Sequence, residues 1–252
     1  MIICKNIQFV YDSRLGKKNS FRLTCENFEA PAKSVTFILG RNGSGKTTFL
    51  KLLGGFEKPS SGTISLNGED RIPRSKIGWI DVRAAENLVG ELTVVDHLAL
   101  GLVDFDPNLS WFPRNAFDDY YKLKLSHLGE LQKETVTLLR ERVSELSRGQ
   151  KQLLSIALAV MTERAVLLAD ESTANLDAKN ARLFFDALTD LAEKHSIAVV
   201  VVTHDLLLAA EFGKHFYSLC NGKVLELTAP PERDARIQAF RSALDAGGNT
   251  AL

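Results

Sequence analysis

Little in this chain of 252 residues is out of balance, and each shortage closes off a class of function. Charge of one sign is not in excess: Lys plus Arg and Asp plus Glu both number 31, for a formal net charge of zero. A nucleic-acid binder carries a basic excess or stripe, and neither is visible here. Cysteine is scarce, with Cys4, Cys25 and Cys220 widely spaced and odd in number. That spacing fits buried thiols in a reducing compartment better than metal ligands or bridges. Long apolar runs are missing as well. Ile197–Val202 is among the longest, and it is strand-sized. The opening Met1-Ile2-Ile3-Cys4-Lys5 has no basic stretch leading into an apolar core, so no secretory leader is expected. A chain soluble by itself is expected, and any membrane role has to come through a partner. The length suits one large α/β domain or two small ones.

What is present is more telling. Gly40-Arg41-Asn42-Gly43-Ser44-Gly45-Lys46-Thr47-Thr48 follows the apolar run Ser34–Leu39 and precedes the apolar helix expected over Thr47–Leu53. Its glycines let backbone N–H groups turn inward around phosphate oxygens, where a Cβ would clash. Lys46 offers a mobile cation for the β- and γ-phosphates, and Thr47 a hydroxyl for Mg²⁺. The helix that follows aims its partially positive end at the same anion. The pattern predicts a nucleoside triphosphate site.

Ile2–Val10 and Phe21–Phe28 read as strands joined by a polar turn over Ser13–Ser20. Thr63–Leu66 and Ile77–Ile80 read as further strands. From Leu98 to Leu146 the character changes. Aromatics gather at Phe105, Trp111, Phe112, Phe117, Tyr120 and Tyr121, and leucines recur at helical spacing through Leu123, Leu125, Leu128 and Leu131. This predicts an inserted helical subdomain whose aromatics either pack its core or line a groove for a partner's helix. Gln150–Met161 and Asn180–Lys194 read as helices, and Ala165–Ala169 and Ala198–Val202 as buried parallel strands. After Ala229-Pro230-Pro231 a short helix is expected over Arg233–Leu244, then a loose tail.

Three further sites carry chemistry. The strand Leu167-Leu168-Ala169 ends in Asp170 and Glu171, at the end of a strand where open α/β sheets bind ligands. Asp170 is placed to hold Mg²⁺ through water, and Glu171 to orient or deprotonate the attacking water. Leu146-Ser147-Arg148-Gly149-Gln150 is a second helix start, with Ser147 as cap, Gly149 leaving N–H groups open and Gln150 beginning the helix. One phosphate loop does not need two anion-binding helix ends. A two-fold dimer resolves this, each copy's segment closing over the γ-phosphate of the other. His204, following Val199–Thr203, is either structural or a hydrogen-bond partner of the γ-phosphate.

Taken in order, these segments resemble the ATP-binding subunit of an ABC (ATP-binding cassette) transporter. Ala174-Asn175-Leu176-Asp177 and Thr203-His204-Asp205 fall in family order too, and the likeness spans about Met1 to Leu227. It implies an α/β fold: a P-loop NTPase core with a mainly parallel sheet, an N-terminal antiparallel β subdomain and an inserted helical subdomain. The ATPase domain is expected over 1–229, its helical part over about 98–161, with a short helix and tail over 230–252. By position, Tyr11 resembles the aromatic that stacks on adenine, the alternative being a core residue at a strand end. Gly40, Asn42, Gly43, Ser44, Gly45, Lys46, Thr47 and Thr48 resemble the phosphate contacts. Ser147, Gly149 and Gln150 resemble the segment that completes the partner's site, and Asp177 the residue linking the two half-sites. Leu92–Leu98 resembles the segment facing the membrane partner.

There are departures. No glutamine stands near Asp81-Val82, where the family carries one; Asp81 has an oxygen to offer Mg²⁺ but a different charge and length. Arg148 replaces a common glycine, and Asn175 a common alanine. Arg142-Val143-Ser144-Glu145 lacks the acidic, glycine-bearing motif of many fused exporters, which leans towards a separately encoded bacterial importer subunit. The resemblance implies ATP and Mg²⁺ as cofactors, a second ATPase subunit (homo- or heterodimer), transmembrane permease subunits and, for an importer, a substrate-binding protein. No nucleic acid is expected. Such a subunit works at the cytoplasmic face of the cell membrane. The rival reading is a soluble assembly ATPase resembling the iron–sulphur-assembly members of the same family. A DNA-repair or translation ATPase fits less well, since neither a long coiled coil nor a second cassette is present.

Overall fold

The computed structural model describes residues 1–11, 21–70, 72–81, 88–103, 130–160, 164–171 and 176–248. The Ser13–Ser20 turn, Val82, Ala174, Asn175, and the aromatic and leucine cluster from Phe105 to Leu128 lie outside them. Among the described residues nine strands form one sheet: β1 (Ile2–Val10), β2 (Arg22–Ala30), β3 (Ser34–Leu39), β4 (Ser61–Leu66), β5 (Ile77–Asp81), β6 (Val166–Asp170), β7 (Ala198–Thr203), β8 (His215–Cys220) and β9 (Lys223–Glu226). Their order is β4-β1-β2-β9-β8-β3-β7-β6-β5. The central block β8-β3-β7-β6-β5 is parallel throughout. The N-terminal strands β4, β1 and β2 pair antiparallel, and β2 joins the rest by a short parallel pairing with β9.

The central strands are apolar without alternation because both faces are covered. On β7, Val199 and Val201 point to one core and Ala198, Val200 and Val202 to the other. One face packs against α5 (Ala178–His195), whose Phe184, Phe185, Leu188 and Leu191 recur at helical spacing and are buried. Asp177 caps that helix by accepting from the Asn180 backbone N–H at 2.8 Å. The other face packs against α1 (Lys46–Leu53) through Phe49, Leu50, Leu52 and Leu53.

The remaining α-helices among the described residues are α2 (Val94–Val103), α3 (Glu130–Thr137), α4 (Arg148–Val160), α6 (Leu206–Phe212) and α7 (Arg233–Gly248). Helices α2 and α3 each pack on α4, which in turn packs on the edge strand β5. Most boundaries differ from expectation by one or two residues, and the end of α7 by four. Helix α4 begins at Arg148, before Gln150, because Ser147 is its cap and Gln150 already sits in its first turn. Helix α7 runs to Gly248, past the expected end at Leu244. Tertiary packing explains the extension: Phe240 is fully buried against the Phe216 ring, 4.8 Å between centroids. Arg236 adds hydrogen bonds to the carbonyls of Ala210, Pro230 and Pro231 at 2.7, 3.1 and 3.1 Å.

Candidate active site

The sheet order lines up the chemistry along one edge. Asp81, Glu171, His204, Gly40 and Asn221 follow or end β5, β6, β7, β3 and β8, whose C-terminal ends all face the same way. Tyr11 follows β1 and Phe21 precedes β2, so the antiparallel pairing brings both to this edge too. The edge therefore runs from aromatics, past the β8–β9 turn, over the phosphate loop, to the acidic strand ends.

The phosphate loop is shaped for an anion. Gly45, with φ 106°, is the N-cap of α1 and supplies no side-chain cap, which leaves the helix's N-terminal amides open. A Cβ there would also drive into the Phe21 ring. The Ser44 hydroxyl is buried with no hydrogen-bond partner, a cost that a bound phosphate oxygen would remove. Thr47 is exposed at the start of α1 and Thr48 half-buried behind it. Asn42 and Gly43 form the exposed rim.

Lys46 is the electrostatic centre. Its side chain is only 5% exposed, and burying an ammonium requires partners. It donates to the carbonyls of Gly40 and Arg41 at 2.9 and 3.1 Å and pairs with the Glu171 carboxylate at 3.1 Å. Glu171 adopts φ 45°, a left-handed conformation costing on the order of 1–2 kcal/mol for a non-glycine residue. Its backbone N–H donates to the Val202 carbonyl at 3.0 Å, which holds this turn against β7. His204 Nδ1 lies 3.7 Å from Glu171, within ion-pair range but too long for a hydrogen bond. The turn carrying it is fixed by Asp205, which donates its backbone N–H to the Thr203 hydroxyl and caps α6.

Asp170 ends β6 next to Glu171, and in the sheet register it stands opposite Asp81 at the end of β5. Thr47, Asp170 and Glu171 are all oxygen donors, which is what Mg²⁺ takes. No cluster of three or more His, Cys, Asp or Glu able to hold a metal alone occurs among the described residues.

Tyr11 is not a core residue: it is 38% exposed, edge-on to Phe9 at 4.8 Å and 6.4 Å from Phe21. Between Phe21 and the phosphate loop lies a cleft of about 550 Å³, lined by Phe21, Arg22, Arg41–Ser44, the Leu219–Gly222 segment and Leu244. That volume suits a nucleoside-sized ligand. Sequence reasoning named Phe21 only as a strand start and missed the β8–β9 turn and Leu244. The dipeptide Asn221-Gly222, with φ of 49° and 73°, is a strong hairpin signal that could have found the turn.

The second helix start is built differently. Ser147 N–H donates to Gln150 Oε1 at 2.8 Å, and Gln150 N–H donates to Ser147 Oγ at 3.2 Å, a reciprocal capping box. A Cβ on Gly149 would stand 3.0 Å from the Asn180 side chain, which itself donates to Asp177 at 2.9 Å. So Gly149 and Asp177 are neighbours. Helix α4 packs on β5, which is three strand positions from β3. Three interstrand spacings come to roughly 14 Å. The structure thus brings Lys46, Glu171 and His204 together, while Gly149 lies against Asn180 in the first turn of α5.

Residues 23–174 match the ABC transporter family. The chain is similar to the phosphonates import ATP-binding protein PhnC of Nitratidesulfovibrio vulgaris, 34% identical over 212 residues, covering 79% of this chain and 77% of that one. It is 33% identical over 206 residues to the lipoprotein-releasing system ATP-binding protein LolD of Hydrogenovibrio crunogenus, covering 78% and 84%. Among solved structures it resembles the ATP-binding cassette MJ0796 in a dimeric post-hydrolysis state bound to ADP and Pi. The TM-score is 0.69 at 26% identity, covering 91% of this chain and 100% of that one. These are transporter proteins, in line with the transporter reading and not with the soluble assembly ATPase.

Proposed function

This chain belongs to the ABC transporter family and is its ATP-binding, ATP-hydrolysing subunit, and from that premise we propose how its residues divide the work. The observation that carries the reading is the contact between Lys46 and Glu171 beside an orphaned Ser44 hydroxyl. It sets a phosphate-binding cation and a candidate base at one strand edge.

Tyr11 stacks on adenine, and the backbone amides of Gly43–Thr48 with the Lys46 ammonium hold the phosphates. As phosphate arrives, Lys46 exchanges its carboxylate partner for a phosphate oxygen, and Glu171 is released. Glu171 then takes a proton from the water that attacks the γ-phosphorus in line, and the bond to the ADP oxygen breaks to give ADP and phosphate. His204 donates to a γ-phosphate oxygen. Thr47 and Asp170, with Asp81 opposite Asp170 in the sheet register, would hold Mg²⁺, which would supply neutralisation of phosphate charge when bound. Ser147, Gly149 and Gln150 of a second copy complete the γ-phosphate shell, and Asp177 couples the two half-sites.

The dimer closes on ATP, reopens after hydrolysis, and so drives membrane-spanning permease subunits between access states. The segment Leu92–Leu98 faces that partner. No helix among the described residues is long and apolar enough to cross a membrane, which supports attachment at the cytoplasmic face through the permease. We read the ATPase domain as 1–229 with its helical part at about 98–161, followed by the C-terminal segment 230–252. Import, with a substrate-binding protein, is favoured by the absence of the exporter-type motif before Ser147 and by the import protein named above.

The test is Glu171→Gln, which keeps size and hydrogen bonding but removes the base. Turnover should drop roughly 10²–10⁴-fold while the ATP-bound dimer accumulates on a sizing column. Hydrolysis at the parent rate would remove Glu171 from the mechanism.

A further inference from the structure

The phosphate loop has a neighbour that the nucleotide chemistry does not call for: the end of helix α7. Leu244 lines the same cleft as Phe21 and the loop residues Arg41, Asn42, Gly43 and Ser44. One residue on, Asp245 accepts a hydrogen bond from the Arg41 guanidinium at 2.8 Å, a pair linking positions 204 residues apart. Both members of that pair are well exposed, so the pair by itself is a weak tether. The helix does not depend on it. Two turns earlier Ile237 and Phe240 are buried, and Arg236 is bound to three carbonyls and lies 5.4 Å from the Phe216 ring centroid. The last turns of α7 are therefore projected from a rigid anchor onto the rim of the cleft. The Gly247-Gly248 end follows directly, so Leu244 is the helix's last large apolar side chain.

We infer that the C-terminal helix is a wall of the nucleotide cleft, with Leu244 contacting the nucleoside half of ATP and Asp245 positioning Arg41 at the loop's rim. The inference rests on the nucleotide site proposed above and adds to it. The phosphate half binds to the loop's amides and Lys46, and Lys46 is not among the residues lining the cleft that Leu244 lines. The sugar and base must cross the β8–β9 turn to reach Tyr11, and that path runs past Leu244. The wall then sets affinity for whole nucleotides and leaves affinity for bare phosphates untouched. It also makes segment 230–252 part of the binding site rather than an appendage.

The experiment measures Kd for ADP and for pyrophosphate, by calorimetry on the full chain, in three variants. Leu244→Asn keeps size and charge. It should weaken ADP roughly threefold to tenfold by the loss of apolar contact, and leave pyrophosphate within twofold of the parent. Asp245→Asn should weaken ADP by up to about threefold at low salt, with the effect fading at high salt and Asp245→Glu restoring affinity. Tighter ADP binding by Asp245→Asn would mean that Asp245 is only a repulsive charge near the phosphates, and would overturn its positioning role. Parent-like ADP affinity in Leu244→Asn would overturn the wall. Lys46→Ala separates the two claims: it should lose both ligands. If it keeps both, the underlying site is wrong and the wall falls with it.

Discussion

Two helix starts in this chain look alike on paper and differ in three dimensions. At α1 the cap is a glycine, the first amides are open, the Ser44 hydroxyl has no partner and a buried lysine waits on a carboxylate. At α4 the cap is a serine, and Ser147 and Gln150 satisfy each other. The first end is strained towards a ligand, whereas the second is content in water and offers its amides only to something brought to it. The contrast supports the proposal that a partner copy completes the site.

The sharpest way to break that contrast is Ser147→Arg, which should leave ADP affinity of the isolated chain unchanged yet cut turnover. Loss of a preorganised donor to the developing charge is worth about 10²–10³-fold, and steady-state ATPase assays would read it. Equal damage to ADP binding would show that the two ends act in one chain. Next in size is Tyr11→Ala. Base stacking on an aromatic ring contributes roughly 1–3 kcal/mol, so Kd for ADP should rise on the order of tenfold with kcat nearly constant. Asp177→Ala should be milder, costing about 1 kcal/mol through the lost cap of α5 and lowering the unfolding midpoint in a denaturant titration.

Beneath both ends the core carries its own titration. Burial, followed by the charge of Glu26, pushes the Cys25 thiol up to about 12 from 9.0. Burial raises Cys4 well above that value too, with Cys25 adding to it. A raised folded-state pKa stabilises the fold below the unfolded pKa and is lost as pH climbs through the folded value. Stability should therefore hold to about pH 9 and decline towards pH 12, and Cys25→Ala should flatten that decline in pH-dependent denaturation.

Much of the half-site at α1 could be read from sequence because its signals are local. The glycine-lysine run, the apolar strand before it and the Asp170-Glu171 strand end are each contiguous, and the strands β3, β6 and β7 lie close to where the apolar runs put them. What escaped notice depends on sheet order. Phe21 gains a role only because β2 is beside β9 and thus near the β8–β9 turn. Strands β8 and β9 have parallel partners distant in sequence, and their one local signal is the Asn221-Gly222 turn between them. Leu244 meets the phosphate loop only because Phe240 anchors α7 on β8, a contact written in three dimensions alone. The Arg233–Gly248 segment ends in Gly247 and Gly248, which read as a loose tail until that packing is seen.

The central claim, a site shared between copies, is tested most directly by mixing two inactive variants. Ser147→Arg and Glu171→Gln each spoil both sites of their own homodimer. In a mixed dimer one site takes its phosphate loop and Glu171 from the first chain and its Ser147 from the second, and is intact. Equal mixing should therefore restore ATPase activity to about a quarter of the parent level, since half the dimers are mixed and each has one good site. A mixture as inactive as its components would mean that each chain hydrolyses ATP with its own Ser147, and would contradict the account.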